Sequence, residues 1–214
     1  MIPGDPLVVL WDVDGTLLDV RGAGRRAFAT AMARVWGGAL DLRDVSFAGA
    51  TDLGVLAQVI EPAALDEART AAFFDELGVA LAAELAAAPA RACAAALEAT
   101  AALAARGALQ GLLTGNEERC ARLKLRSAGF AAERFTFGAF GHEHADREQL
   151  ARLAATRRPG RHVVIGDTPR DIQAARAIGA LAIAVCTGFA ERRALVDAGP
   201  DHVLDDLSAL LALL

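Results

Sequence analysis

The sequence lacks an excess of positive charge. Acidic residues outnumber basic ones by 27 to 22, which gives a formal net charge of −5 and an isoelectric point of about 5.4. Such a chain has no general attraction for nucleic acid or for an anionic membrane surface. The densest basic run, RRPGR at 157–161, is typical of a solvated loop between a helix and a strand. We therefore expect no nucleic acid among its partners.

Cysteine is also scarce. Cys93, Cys120 and Cys186 form no CxxC pair, so the pattern indicates free thiols in a reducing compartment rather than a disulfide framework. The N-terminal MIPGDP carries no cationic region and no cleavage-type signal. We therefore expect a cytoplasmic protein.

Long uninterrupted hydrophobic runs are missing too. The alanine-rich stretch 79–105 is interrupted by Glu84, Pro89, Arg91 and Glu98, which predicts a pair of soluble helices and no membrane span. The chain is nevertheless 54% hydrophobic with a mean hydropathy of +0.33, which excludes disorder of the whole chain. Its 214 residues suffice for one buried core with a smaller insert.

Short apolar runs bounded by turn residues alternate with helical patterns along most of the chain. The predicted strands are 7–13, 108–113, 162–165 and 181–185, with weaker ones near residue 137 and at 202–204. The predicted helices are 117–128, 146–156, 169–178 and 190–197, with a terminal helix after residue 206. This alternation predicts an α/β fold with a Rossmann-like, mostly parallel sheet flanked by helices.

One segment interrupts the alternation. Residues 19–88 have a helical pattern and no convincing strand, so we interpret them as a helical insert after the first strand. Gly22 and Gly24 are flexible points at which the chain leaves the sheet. We therefore expect a core formed by residues 1–18 and 89–214, and an inserted helical cap domain formed by residues 19–88.

Three predicted strands end in polar residues. DVDGT supplies Asp12 and Asp14, LLTGN supplies Thr114, and VVIGDTPRD supplies Asp167 and Asp171. A single Asp after a strand is usually a helix cap or turn former. Four carboxylates at the carboxyl edge of one parallel sheet would repel each other unless a cation lay among them. Because the donors are oxygens, the pattern predicts a Mg²⁺ site faced by the Thr114 hydroxyl.

These motifs resemble those of the haloacid dehalogenase-like hydrolase superfamily. DVDGTLLD, LLTGN and GDTPRD occur in the family's order, each after a predicted strand. Within the superfamily the chain is similar to the phosphoglycolate phosphatase-like branch, whose helical cap follows the first motif. The resemblance covers essentially the whole chain. It implies a Mg²⁺-dependent phosphoric monoester hydrolase that acts on a small phosphorylated metabolite, of phosphoglycolate type or a sugar phosphate, as a monomer or homodimer.

The resemblance also implies roles for the first motif. Asp12 would be the nucleophile that forms a phosphoaspartate, and its carboxylate would contact Mg²⁺. Asp14 would protonate the leaving alcohol and then activate water, while its backbone carbonyl would bind the metal. Gly15 would allow the sharp turn that brings both carboxylates to one phosphate.

The later motifs have implied roles as well. Thr114 and the backbone amides near Gly115 and Asn116 would hold the phosphoryl oxygens. Asp167 would be a metal ligand, and Asp171 would be a further ligand or an anchor beside the metal.

The family's usual lysine, often followed by proline, is missing before the helix that precedes GDTPRD. The chain has GAFGHEHADREQL there, and its only lysine, Lys124, lies too early. Arg147, just ahead of the apolar positions Leu150 and Leu153, is predicted to replace the missing cation and to bind phosphate. His144 is the second candidate.

In the predicted cap, FAGATD at 47–52 resembles a turn that reaches toward substrate. Related sequences frequently carry a basic residue at the position of Ala50, and this departure weakens the case for a strongly anionic substrate. Arg25 and Arg26 are candidates to compensate, although a solvated helix face also explains them.

Other functions are compatible with parts of the pattern. A phosphosugar mutase of the β-phosphoglucomutase type would use the same motifs and cap position. A phospho-acceptor signalling module of receiver type also uses aspartates, Mg²⁺ and a Thr, but it is shorter and lacks a helical insert. Asp14 and the metal aspartates disfavour a dehalogenase. Gly22 and Gly24 lie too far after the first strand for a nicotinamide-binding fingerprint.

Overall fold

The structure, a computed structural model, describes residues 5–38, 42 and 45–214. Part of the N-terminal segment used to predict the protein's location lies outside these residues. Within the described ranges, the strands are β1 (Leu7–Trp11), β2 (Leu18–Asp19), β3 (Arg91–Ala92), β4 (Leu109–Thr114), β5 (Phe135–Phe140), β6 (Arg161–Gly166), β7 (Leu181–Val185) and β8 (His202–Leu204). The α-helices are α1 (Ala23–Trp36), α2 (Asp52–Val59), α3 (Glu67–Ala87), α4 (Ala96–Ala105), α5 (Glu118–Ser127), α6 (Arg147–Arg157), α7 (Pro169–Ala177) and α8 (Arg192–Asp197).

Six of the strands form a parallel sheet in the order β5-β4-β1-β6-β7-β8. The central strand β1 pairs with β4 on one side and β6 on the other, so that Leu10 lies between Gly111 and Val164. The sequence of such a strand is a continuous apolar run, because helices cover both faces of a parallel sheet. The predicted α/β fold with a parallel sheet flanked by helices is confirmed.

Alternate residues of β1 contribute to two apolar cores, one on each face of the sheet. Val9 and Trp11 pack into the core that contains the buried residues of α4 and α5. Val8 and Leu10 belong to the core that contains those of α6 and α7. The Trp11 indole Nε1 donates to Gln110 Oε1 at 3.0 Å, which satisfies its buried donor.

The chain leaves the sheet after β1 and returns before β4. The departing strand β2 pairs antiparallel with the returning strand β3, with Leu18 opposite Ala92. Between them, α1 and α3 pack through aromatic side chains, and the Phe28 and Phe73 ring centroids lie 4.8 Å apart in an edge-to-face arrangement. The helical interpretation of residues 19–88 agrees with α1, α2 and α3 among the residues described.

The alanine-rich stretch forms the two predicted helices. One is the second half of α3, and the other is α4, with Pro89 in the break between them. Across the residues that the structure describes, no helix has both the length and the apolar character needed to cross a membrane.

Some predicted element ends differ from the structure. The first strand ends at Trp11 instead of Val13; the Asp12 amide still bonds to β6, and the tight turn follows at residues 15–17. The predicted terminal α-helix is a 3₁₀ helix, Leu207–Ala212. Leu207 and Leu210 are both buried, and a spacing of three residues suits either helix type, so the sequence pattern does not separate them.

Candidate active site

The first two aspartates stand at the carboxyl end of β1. The Asp12 amide donates to the Ile165 carbonyl at 2.9 Å, which extends the ladder with β6 and fixes the residue at the edge of the sheet. The Asp12 residue is only 6% exposed. Val13 is directed into the apolar core, so the DVD sequence separates two functional carboxylates by one packing residue.

Gly15 makes the turn that follows. Its φ of +84° lies in the left-handed region, and a Cβ at this position would collide with the Asp167 carboxylate. Glycine meets both requirements because it has no Cβ. The Thr187 hydroxyl donates to the Gly15 carbonyl at 2.6 Å, which holds the turn against the chain after β7.

Three carboxylates converge below this turn. Oxygens of Asp12, Asp167 and Asp171 lie within 4.8 Å of one another, and all three residues are buried. Asp167 follows β6 and accepts from the Phe189 amide at 2.7 Å. Asp171 lies in the first turn of α7, where its Oδ2 accepts from the Thr168 amide and hydroxyl at 3.0 and 2.7 Å.

This cluster has the electrostatics of a cation site. Burial raises the pKa of Asp12 despite the opposing effect of Arg147, and burial together with Asp12 and Asp171 raises the pKa of Asp167. Asp171 Oδ1 also lacks an aligned hydrogen-bond donor among the described residues, although Arg147 Nη2 lies 2.5 Å away. Arg147 alone does not offset the effect of burial on Asp12, so a further cation would favour the charged forms, and a set of oxygen donors suits a hard divalent ion.

Arg147 joins two of these carboxylates. Its Nη2 lies 2.6 Å from Asp12 Oδ1 and 2.5 Å from Asp171 Oδ1, and it donates to the Leu113 carbonyl at 2.9 Å. The side chain is buried at the first residue of α6. His144 is exposed, and its Nδ1 accepts from the amide of a nearby loop residue. The structure thus brings Arg147 to the site and leaves His144 outside it.

The Asp14 carboxylate lies outside the three-carboxylate cluster and has its own partners. Asn116 Nδ2 donates to Asp14 Oδ2 at 2.7 Å and to Thr114 Oγ1 at 2.8 Å. Lys124 Nζ donates to Asp14 Oδ2 and to Asn116 Oδ1, both at 2.6 Å. This network connects the end of β4 and helix α5 to the end of β1.

Sequence reasoning missed Lys124 as a site residue. It lies too early to reach Asp12 in the family's usual way, but from α5 it reaches Asp14. Burial lowers the pKa of Lys124, yet the contact with Asp14 outweighs it and raises the pKa above its ordinary value, so the ammonium stays charged. One feature of the sequence pointed to this contact: the lysine lies on the apolar face of α5, with Cys120, Ala121 and Leu125.

A cavity of about 380 Å³ opens above these groups. Asp12, Asp14, Thr114 and Arg147 line it, together with Gly15, Gly115 and Asn116. The predicted phosphate-binding residues therefore share one cavity with the predicted nucleophile.

The FAGATD turn forms part of the cavity wall. A Cβ on Gly115 would collide with the Ala50 carbonyl, so the glycine allows the turn to approach the end of β4. The Asp52 amide donates to the Gly115 carbonyl at 2.7 Å. Arg25 also lines the cavity, whereas Arg26 forms an exposed ion pair with Glu84 at 2.7 Å.

A parallel sheet with aspartates gathered at the ends of β1 and β6 defines an α/β enzyme with an acidic site. The family model of haloacid dehalogenase-like hydrolases matches residues 7–179, which is most of the chain. The chain belongs to this family, and the predicted resemblance is confirmed.

One curated relative and two solved structures illustrate the likeness. Phosphoglycolate phosphatase from Synechococcus elongatus is 42% identical over 67 residues, a segment that covers 30% of this chain and 32% of that relative. A predicted phosphoglycolate phosphatase from Haemophilus somnus has a TM-score of 0.72 at 18% identity, covering 100% of this chain and 99% of that one. CbbY from Rhodobacter sphaeroides, solved with xylulose-(1,5)bisphosphate, has a TM-score of 0.73 at 21% identity and 96% coverage of both chains. At these identities the structural likeness concerns the fold.

Proposed function

We propose that this hydrolase is a Mg²⁺-dependent phosphatase that cleaves the phosphate monoester of a small metabolite through a phosphoaspartate on Asp12. The observation that supports this proposal most directly is the position of Arg147. It contacts Asp12 and Asp171 and lines the cavity, and its buried Nε has no hydrogen-bond partner among the described residues. A fixed cation with a free donor beside a carboxylate suits a transferring phosphoryl group.

In the proposed first step, an Asp12 carboxylate oxygen attacks phosphorus and the bond from phosphorus to the ester oxygen breaks. Asp14 donates a proton to that oxygen, so the product leaves as an alcohol. In the second step, Asp14 takes a proton from water, and the resulting hydroxide oxygen attacks the phosphorus of the phosphoaspartate. Inorganic phosphate leaves and the Asp12 carboxylate is restored.

The carboxylates of Asp12, Asp167 and Asp171 and the backbone carbonyl of Asp14 would hold Mg²⁺. A divalent cation there would offset the negative charge that the phosphoryl oxygens develop. Arg147, the first residue of α6, would offset the same negative charge of the phosphoryl oxygens. Lys124 and Asn116 orient the Asp14 carboxylate through the contacts described above.

The end of β4 would hold the remaining phosphoryl oxygens. The Thr114 hydroxyl and the backbone amides of Gly115 and Asn116 belong to a strand end and the loop that follows it, a common position for anion-binding groups in parallel α/β proteins. These groups and Arg147 would surround the phosphoryl group on several sides.

We also propose that residues 19–88 act as the cap over a core formed by 1–18 and 89–214. The β2–β3 pair at the two crossing points and the contribution of both parts to the cavity wall support this division. The three free cysteines support a reducing, cytoplasmic location.

The test is a phosphate-release assay over a panel of small phosphate esters, with Mg²⁺ and with excess EDTA. The proposal predicts Mg²⁺-dependent phosphate release in equal amount to alcohol product. Activity that is unchanged in EDTA would contradict the metal site. Rapid interconversion of hexose phosphates with negligible phosphate release would instead identify the phosphosugar mutase.

A further inference from the structure

Much of the cavity wall above Asp12 is apolar. Most of the large apolar side chains come from the helical segment between β2 and β3, namely Val20, Phe28, Phe47, Val55, Leu77 and Leu81, and Phe189 after β7 adds another. The rings of Phe28 and Phe47 meet edge to face with centroids 5.2 Å apart. This is the composition of a pocket for a hydrocarbon or aromatic group.

The basic side chains that line the cavity already have ion-pair or hydrogen-bond partners. Among the described residues, the basic side chains lining it are Arg25, Lys124 and Arg147. Arg147 is held by the aspartate cluster, and in the proposed function its unpaired Nε serves the transferring phosphoryl group. Lys124 is held by Asp14 and the Asn116 side-chain amide. Neither ammonium nor guanidinium is free to pair with a second anionic group on the substrate.

Arg25 is engaged as well, although it comes from α1 beside the apolar wall. Its Nη1 donates to the Leu42 carbonyl at 2.6 Å and its Nη2 donates to the Val45 carbonyl at 2.8 Å. The guanidinium also lies over the Phe47 ring, with its carbon 4.5 Å from the centroid. Arg25 therefore stabilises the cavity wall, and its guanidinium is not available for bidentate binding of an anionic substrate group.

Two further carboxylates line the same cavity. Asp19 and Asp52 are among its lining residues. Asp19 is exposed, and Asp52 Oδ2 accepts from the Glu117 amide at 2.8 Å. An anionic group on the leaving alcohol would gain no cation from either residue and would be repelled by their negative charge.

We propose that the substrate is the phosphate monoester of a compact, uncharged, apolar alcohol, and that the site disfavours esters with a second anionic group, such as phosphoglycolate or a bisphosphate. The inference rests on the proposed phosphatase function and adds the nature of the leaving group. A cavity of about 380 Å³ is near the small end of ligand sites, so the alcohol is small, of the branched alkyl or benzyl kind.

The decisive comparison uses isobutyl phosphate and phosphoglycolate with the full chain and Mg²⁺. Isobutyl phosphate carries two methyl groups where phosphoglycolate carries two carboxylate oxygens, so shape is nearly constant and charge differs. We expect kcat/KM for isobutyl phosphate to exceed that for phosphoglycolate by about tenfold or more. From ethyl to butyl phosphate, kcat/KM should rise by up to about fourfold per methylene.

A near-isosteric variant tests the wall directly. Val55→Thr places a hydroxyl on the apolar wall with little change of volume, and Val79→Thr is the control because Val79 is 58% exposed on α3. Val55→Thr should lower kcat/KM for isobutyl phosphate about threefold to tenfold, while changing phosphoglycolate hydrolysis less than about twofold. Because Val55 is buried, Val55→Thr should also lower the melting temperature, so both variants are assayed well below their melting temperatures, where unchanged phosphoglycolate hydrolysis shows that unfolding is not the cause.

The outcomes separate this inference from the function on which it rests. If no ester releases phosphate in an Asp12-dependent way, the proposed function fails and the inference fails with it. If phosphoglycolate is hydrolysed as well as isobutyl phosphate, the phosphatase stands and the apolar leaving group is wrong. A Val55→Thr variant that affects both esters alike, or neither, also contradicts the inference.

Discussion

At the scale of single residues, the site holds two buried cations with different partners. Arg147 pairs with Asp12 and Asp171, which places it beside the proposed nucleophile. Lys124 pairs with Asp14, which places it beside the proposed proton donor. Both cations are buried, so each contact is stronger than a surface ion pair, and removing either one leaves a carboxylate without its partner.

The first prediction concerns Arg147. Arg147→Ala should lower kcat by at least about a hundredfold, the scale of losing one preorganised electrostatic contact. His144→Ala should change kcat only a few-fold, because His144 is exposed. Steady-state kinetics of the two variants provides the measurement. The reverse ranking, or wild-type turnover by Arg147→Ala, would show that the assignment is wrong.

The second prediction concerns Lys124. If Lys124 orients Asp14 as a proton donor, Lys124→Met should slow alkyl phosphates more than p-nitrophenyl phosphate, whose leaving group departs without a proton. We expect the difference in kcat loss to be about tenfold or more. The control is Arg122→Met, on the same helix, where Arg122 pairs with Glu118 at the surface. Equal losses on both substrates would indicate only a structural role.

At the scale of elements, strand ends and helix starts place the functional groups. The ladder between β1 and β6 aligns Asp12 with the residues that follow Ile165. Helix α6 begins at Arg147, so its first side chain reaches the sheet edge. The tight turn at Gly15 is the point where an added side chain would collide with both Asp167 and the backbone of Gly188.

The third prediction tests that turn with two matched substitutions. Gly15 and Gly129, the latter just after α5, both have positive φ, at +84° and +87°, but a Cβ on Gly129 would meet no atom within 4 Å. Gly129→Ala should cost about 1 kcal/mol of stability from backbone strain and keep its activity. Gly15→Ala should add the collision with Asp167 and lose most activity. Thermal unfolding and kcat for both variants decide this, and equal activity of the two would refute the packing argument.

At the scale of the whole molecule, a metal ion in the proposed site would couple its binding to folding, because the carboxylates gather only in the folded protein. Mg²⁺ that binds only the native state should stabilise it by about 2.7 kcal/mol at a hundredfold excess over Kd. The fourth prediction is therefore a rise in melting temperature on adding Mg²⁺, which EDTA reverses. Asp167→Asn should abolish most of the rise. A melting temperature that does not respond to Mg²⁺ would contradict the site.

Most of the fold was predictable because strand and helix patterns are local. Leu181–Val185 and His202–Leu204 have the predicted bounds, since turn residues flank each apolar run. The gathering of Asp12, Asp167 and Asp171 followed from the rule that parallel strands end at one edge. The Lys124–Asp14 contact joins residues 110 positions apart. It depends on how α5 is rotated against the sheet, which no local pattern specifies.

The central claim is that Asp12 becomes phosphorylated. Asp14→Asn should let Asp12 attack p-nitrophenyl phosphate, because this leaving group needs no proton, but should slow the hydrolysis that follows. We predict a burst of nitrophenol equal to the enzyme concentration, and mass spectrometry of acid-quenched protein should locate the phosphoryl group on Asp12. The double variant with Asp12→Asn should show neither. Absence of the burst with continued turnover, or a phosphoryl group on another residue, would contradict the account.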